Sequence, residues 1–494
     1  MKILFIYPEY PDTFWSWKNT MKIVRKKAAF PPLGLLTVAA MLPASCQKEL
    51  IDMNVSRLLD EDIKRADYVF VSAMITQNES AREVIRRCNQ LGVKVIAGGP
   101  LFTTGYEKFN GVDHFIVGEA EDIFSTFLRD LENGCAKRIY ISDNRPDVAR
   151  TPIPLWRLID PGNYVSMSVQ FSRGCPFDCE FCDIIVMNGR VPRVKCPDQV
   201  LRELDAIYAT GFRGMVLIVD DNFIGNKAKV KAMLPELIKW QENHGFPFSF
   251  STEASINLAD DERLMDMMVQ AEFGQVFLGL ETPSSAGLAE CGKVQNKNRD
   301  VVASVKKIQR HGLHPLGGFI VGFDSDNPES IFADQINFIQ EAGIVVAMVG
   351  LLQALPKTRL YDRLSKEGRI LKASSGNNTD YSLNFKPKMD RVVLLNGYKK
   401  IIETIYSPKR YYNRMCIFLK EYKPCGRRGK RMDWTSLMAF ARSIWYIGLT
   451  GRWVDKWYYW KMLFVAFFKY RSAFPEAIAL LIYGSHLRGI AKGI

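Results

Sequence analysis

The sequence predicts an α/β protein: an N-terminal doubly wound parallel sheet, a central partial (β/α)6 barrel and a mainly helical C-terminal region. Three observations carry that expectation. Short apolar, β-branched runs alternate with helical periods from residue 2 to about residue 350, the pattern of strands buried on both faces. A stretch rich in proline, aspartate and arginine, residues 142–163, interrupts the alternation without any period of its own. Beyond residue 352 the chain turns basic and aromatic. The expected units are therefore 1–141, a linker 142–163, 164–352 and 353–494.

In the first unit, strands are expected at "KILFIY" (2–7), "ELIDM" (49–53), "DYVFVSA" (67–73), "VKVIAG" (93–98) and "HFIVG" (114–118). Helices fit "PPLGLLTVAAML" (31–42), "NESAREVIRRCNQLG" (78–92) and "AEDIFSTFLRDLEN" (120–133). Such sheets take ligands beyond the carboxyl ends of their strands. The first strand runs into "YPEYPDTFWSW", so the G-x-G-x-x-G loop of a dinucleotide site is missing there. Small residues come later: Ser72 closes the third strand, Gly98-Gly99 the fourth, and Gly118-Glu119 the fifth. Two readings stand side by side. These are turn glycines, or they let a bulky ligand approach the backbone closely.

From residue 164 the alternation resumes, with strands expected at 164–171, 214–220, 248–252, 275–281, 317–323 and 345–352. Helical periods lie between them at 197–211, 227–245, 300–312 and 328–343. In β/α barrels the loops at the carboxyl ends of the strands build the site. Cys175, Cys179 and Cys182, spaced C-x-x-x-C-x-x-C, fall in the loop after the first of these strands. Asp220 and Asp221 follow the second, Glu253 the third, and Glu281 the fourth. One carboxylate at one strand end means little; several on the rim that holds a cysteine loop make a candidate site. A structural zinc takes four ligands, and Cys196 is the candidate fourth ligand of that reading. Three cysteines alone suit a four-iron cluster with one iron left open.

The cysteine loop, with Phe181 before its last cysteine, resembles the radical S-adenosylmethionine superfamily. "GQVFLGLE" (274–281), which contains Gly279 and Glu281, is similar to that family's glycine-bearing strand near the adenine, with Val276 in the usual isoleucine place. "VDDNF" (219–223) stands where a G-G-E motif is usual and lacks its glycines. Ser72 and Gly98-Gly99 resemble the S-x-L…G-G part of cobalamin-binding domains, with Met74 in the leucine place. The D-x-H-x-x-G of those domains is absent: the first histidine of the chain is His114, and "DMNVSR" (52–57) offers Asn54 instead. The resemblance, covering about residues 1 to 350, implies a [4Fe–4S] cluster on Cys175, Cys179 and Cys182. It further implies S-adenosylmethionine on the open iron and cobalamin with no lower axial histidine. An external electron donor is implied as well.

In the last third, nine Lys or Arg and one acid, Glu421, lie between Lys409 and Arg431, and the following segment holds five of the nine tryptophans. Basic residues followed by interleaved aromatics suit an interfacial helix. A helical bundle on the barrel and a nucleic-acid surface are the competing readings. Together with residues 11–43, this tail is similar to hopanoid methylases, which implies C-methylation of an apolar, lipid-like substrate. A radical enzyme forming C–C bonds or rings without methyl transfer is the nearest alternative; a zinc-bearing RNA-binding protein is the alternative from another class. Ten cysteines with no disulfide-scaffold pattern, no recognisable signal peptide and no apolar run of about 18 residues lead to the expectation of a cytoplasmic protein. The net charge of +13 and the tail suggest the inner membrane surface.

Overall fold

The computed structural model describes residues 1–142, 144–377, 379–424 and 434–493. Six parallel strands form the first sheet: β1 (Lys2–Tyr7), β2 (Gln47–Asp52), β3 (Tyr68–Ser72), β4 (Lys94–Gly98), β5 (His114–Val117) and β6 (Ile139–Ile141). Their order is β2-β1-β3-β4-β5-β6. Alternation along β1 explains the layering. Ile3 and Phe5 face helices Leu33–Met41 and Ala120–Glu132 through Leu35, Ala39, Phe124 and Phe127. Leu4 and Ile6 face Asn78–Gln90 through Val84, Ile85 and Cys88. Both faces of β1, β3, β4 and β5 are covered, so these strands are apolar, while the edge strand β2 keeps Gln47, Lys48 and Glu49. The order reverses between β1 and β3, which puts the ligand crevice of such a sheet at their carboxyl ends.

Two short strands, β8 (Ser172–Arg173) and β9 (Arg193–Val194), form an antiparallel ribbon beside the second sheet. That sheet runs in simple sequence order through β7 (Ser166–Val169), β10 (Gly214–Ile218), β11 (Phe248–Ala254), β12 (Phe273–Glu281), β13 (His314–Val321) and β14 (Ala347–Leu351). All five pairings are parallel, as in an open barrel. Val216, Ile218, Val276, Leu278, Phe319 and Val321 are buried in one large core. Their alternate neighbours face the concave side.

Elements not assigned from sequence include β6, the ribbon, the helix Glu262–Gln270 between β11 and β12, and the short helices Lys18–Val24, Asp60–Lys64, Pro100–Gly105, Ile184–Met187 and Ser285–Glu290. Segment 142–163 makes three short 3-10 turns and no α-helix among its described residues. The C-terminal helices Arg391–Ile405 and Pro408–Glu421 pack on the barrel helix Ile331–Glu341. Arg414, counted among the surface cations of the tail, is fully buried instead and donates to the carbonyls of Ile405 and Val345. Cys425, Arg427, Arg428, Lys430 and Arg431 lie outside the described residues. Finally, helix Phe474–Ala491 folds back onto the start of the chain. His486 Nε2 donates to the carbonyls of Thr13 and Phe14, and Trp17 lies against Tyr483 and His486.

Candidate active site

The cysteine loop leaves β8 at Gly174, where the backbone has φ +101°. A Cβ there would come within 2.9–3.2 Å of the carbonyl oxygens of Val191, Gly189 and Asn188, so only glycine fits the tight approach. The loop is closed by Cys175 N donating to Gly189 O (3.1 Å) and Cys182 N donating to Cys179 O (3.1 Å).

Beneath it, the two aspartates after β10 each accept from one backbone N–H and one side chain of the surrounding segment. Asp220 Oδ1 accepts from Phe171 N (2.7 Å) and Oδ2 from the Ser172 hydroxyl (2.6 Å). Asp221 Oδ2 accepts from Gly174 N (2.8 Å) and Asn188 Nδ2 (2.9 Å). Burial pushes the Asp220 carboxyl up to about 7 against those donors. Their geometry is that of groups positioning the loop. The next residue, Asn222, places Nδ2 3.8 Å from Cys175 Sγ.

Opposite the loop, Glu281 ends β12 with φ +63°, at a register irregularity that follows Gly279. Its carboxylate accepts from the buried Lys293 Nζ at 2.7 Å. A Cβ at Gly279 would meet both groups at 2.6–2.7 Å, which explains the glycine. Burial opposes the Lys293 ammonium, but the Glu281 carboxylate bonded to it holds its pKa above the ordinary lysine value. Burial in turn pushes all three cysteine thiols up, and Lys293 opposes this. Sequence reasoning missed Lys293. It reaches the site because its segment folds back on the loop, with Glu180 N donating to Cys291 O (2.9 Å). Half-buried Glu253 ends up near Asp221 and Lys293, its carboxyl raised to about 7 chiefly by burial. Phe181 is half-buried, its ring 6.4 Å from that of Phe323. Cys196, the fourth ligand of the zinc reading, is exposed where helix Pro197–Ala209 begins.

The N-terminal residues also converge. Ser72 and Gly98 are register partners on β3 and β4. Gly99 has φ +88°, and a Cβ there would run into Ser72 Oγ. Gly118, with φ +90°, donates its N–H to Thr103 Oγ1 at 3.1 Å. Ser72, Gly98, Gly99 and Gly118 are all half-buried at the open strand ends. Glu119 departs from the expected cofactor contact. Both its oxygens are taken by Arg173 (2.7 Å) and Arg193 (2.6 and 2.9 Å) of the ribbon that leads into the cysteine loop. Glu121 binds Arg173 as well, at 2.7 Å. Asn54, in the missing histidine's place, donates to Asp52 Oδ1 (2.7 Å) and Pro8 O (3.2 Å) and accepts from Tyr10 N (3.0 Å). The other Asp52 oxygen accepts from Tyr164 OH at 3.0 Å.

Small residues at the switch-point strand ends of one sheet and a three-cysteine loop on the rim of a partial barrel suit a large cofactor brought to iron–sulfur chemistry. Comparison with known proteins places the chain further. The B12 binding domain family matches residues 23–128, the radical SAM superfamily residues 169–334, and a domain of unknown function residues 358–494. The chain is 41% identical to an uncharacterized methyltransferase of Synechocystis over 98% of its length and 91% of that relative's. It is 33% identical to the hopanoid C-2 methylase of Rhodopseudomonas palustris, over 93% and 88% of the two chains. Among solved structures, the methyltransferase TsrM of Kitasatospora setae with cobalamin and a [4Fe–4S] cluster aligns with TM-score 0.62 at 13% identity, covering 92% of this chain and 97% of that one.

The chain belongs to the cobalamin-dependent radical S-adenosylmethionine methyltransferases. Its cofactors are a [4Fe–4S] cluster, S-adenosylmethionine and cobalamin. The residues present fit them. The loop supplies three thiols and no fourth; neighbouring Cys291 turns its thiol to the Leu288 carbonyl, 3.8 Å away. The strand-end residues of the first sheet are small and accessible.

Proposed function

We propose that this enzyme transfers a methyl group to an unactivated carbon of an apolar, lipid-like substrate drawn from a membrane surface. The observation that carries the substrate class is the concave face of the barrel. Register puts Leu217 beside Ser251, Glu253 beside Phe277, and Gly279 beside Gly318 on that side, with Ile320 beyond. Leu217, Phe277 and Ile320 are half-buried there while their neighbours along each strand are fully buried. An apolar surface next to the cysteine loop would hold hydrocarbon and exclude water. Similarity to a hopanoid C-2 methylase supports the same class.

Cobalamin supplies a transferable methyl group, and the cluster with S-adenosylmethionine supplies a hydrogen-abstracting radical. In this reading Cys175, Cys179 and Cys182 hold the cluster, and Asp220 and Asp221 fix their loop. Phe181, Glu253, Gly279 and Glu281 flank S-adenosylmethionine, with Lys293 orienting Glu281. Ser72, Gly98, Gly99 and Gly118 line the cobalamin crevice, and Glu119 ties that domain to the loop. The units 1–141, 164–352 and 353–494 act as cofactor, radical and docking parts, joined by 142–163. An external donor reduces the cluster. Anaerobic incubation of the reconstituted enzyme with a detergent-dispersed lipid extract and methyl-labelled S-adenosylmethionine tests the proposal. Label in an apolar product one CH2 heavier is expected. A coupled or cyclised product without label would replace methyl transfer by C–C bond formation.

A further inference from the structure

The C-terminal region contains two kinds of helix. Pro408–Glu421 and Phe474–Ala491 bury their apolar residues against the barrel and the N-terminal segment. Helix Trp453–Lys469 buries Tyr459, Met462, Leu463 and Ala466 on one side only. The opposite side carries Trp453, Trp457, Trp460, Phe464, Phe467 and Phe468 at helical spacing, all between 45% and 79% exposed. Trp434 and Trp445 add 73% and 59% on the preceding elements. All five tail tryptophans thus face solvent, whereas Trp15, Trp17, Trp156 and Trp240 are buried or half-buried. Leaving a ring of that size in water forfeits about 2 kcal/mol or more each, so a stripe of six calls for an occupant.

Charge chooses among occupants. From Trp434 to Ala473 the sequence has Arg442, Arg452, Lys456, Lys461, Lys469 and Arg471 against Asp455. Asp455 is neutralised internally by Arg452 (3.1 Å) and Arg488 (3.4 Å). A second copy would set cation against cation. An anionic lipid surface satisfies both features, with rings at headgroup depth and cations on phosphates. Among the described residues no helix is long and apolar enough to cross a membrane, so an in-plane position is the one that fits. We propose that helix Trp453–Lys469 lies in the plane of an anionic lipid monolayer and sinks its aromatic stripe to the headgroup boundary. This deepens the membrane-surface part of the proposed function and rests on it, but not on the identity of the methylated carbon.

The test uses full-length holoenzyme and the variant Trp453→Ser/Trp457→Ser/Phe464→Ser, floated with vesicles of phosphatidylcholine with or without phosphatidylglycerol. Wild type should float with the anionic vesicles, less so as salt rises, and the variant should partition about tenfold less or worse. The variant should keep wild-type cleavage of S-adenosylmethionine without substrate, which shows that it is folded. Equal flotation of the two proteins, or no flotation of wild type on anionic vesicles, overturns the proposal. So does a concentration-dependent dimer of wild type that the variant abolishes. Methylation of the detergent-dispersed extract is the separate readout. If it fails while flotation holds, the substrate reading falls and the docking stands.

Discussion

Asp220 shows how one buried carboxyl can set the pH behaviour of a site. Folded, it keeps its proton up to about 7 because burial outweighs the donors from Phe171 and Ser172; unfolded, it loses the proton in the ordinary carboxylate range. Folding therefore takes up a proton between those limits. Its contribution favours the fold most below that window, declines as pH rises through it, and levels above about 7. Denaturant unfolding of the cluster-free protein should show this fall, to which Asp220 contributes at most about 1.4 kcal/mol per pH unit beside the similarly raised Glu253, and Asp220→Asn should remove that share and make the fall shallower. The cysteines make a sharper prediction. Replacing Cys175, Cys179 and Cys182 together by alanine should abolish the iron chromophore and the cleavage of S-adenosylmethionine, measured on anaerobically reconstituted protein. Persistent cleavage would sink the assignment of these ligands. Those three thiols were legible because their spacing is local. Lys293 was not, since only the fold-back of 291–293 onto the loop brings its ammonium to Glu281, 12 residues before it.

At the scale of elements, legibility followed burial. β1, β3, β4 and β5 read as apolar runs because helices cover both sides of them, and the barrel strands because their outward side packs into one large core. β6 did not, since Ile139 and Ile141 are exposed and the strand is a three-residue edge. Helix Glu262–Gln270 carries Leu264, Met265, Met268 and Val269 at helical spacing, yet its short connection hid it between two stronger strands. Glu119 was read as a cofactor contact because it follows a strand-end glycine. Its partners, Arg173 and Arg193, lie 54 and 74 residues on, beyond any local pattern. That clamp links β5 to the ribbon β8–β9. Glu119→Ala would leave two guanidinium groups, 13% and 17% exposed, short of a partner. The expected cost is about 2 kcal/mol, below a fully buried pair because some solvent remains. A lower Tm and faster proteolysis within 142–163 would register it.

For the whole molecule, the commitment of Asn54 to Asp52, Pro8 and Tyr10 means that no imidazole is offered to cobalt from the loop after β2. The electron paramagnetic resonance spectrum of the Co(II) enzyme should lack nitrogen superhyperfine splitting from a protein histidine; its presence would contradict the expected site. The way the two ends of the chain meet carries another consequence. Trp17 and the carbonyls of Thr13 and Phe14 find partners on helix Phe474–Ala491, the two carbonyls at His486, 473 and 472 residues further on, so these particular contacts wait until that stretch is made. At translation rates of about 5–20 residues per second, that wait is roughly half a minute to a minute and a half. A message cut short before Phe474 would yield a chain in which Trp17 and those two carbonyls lack these partners, a target for a chaperone or a protease.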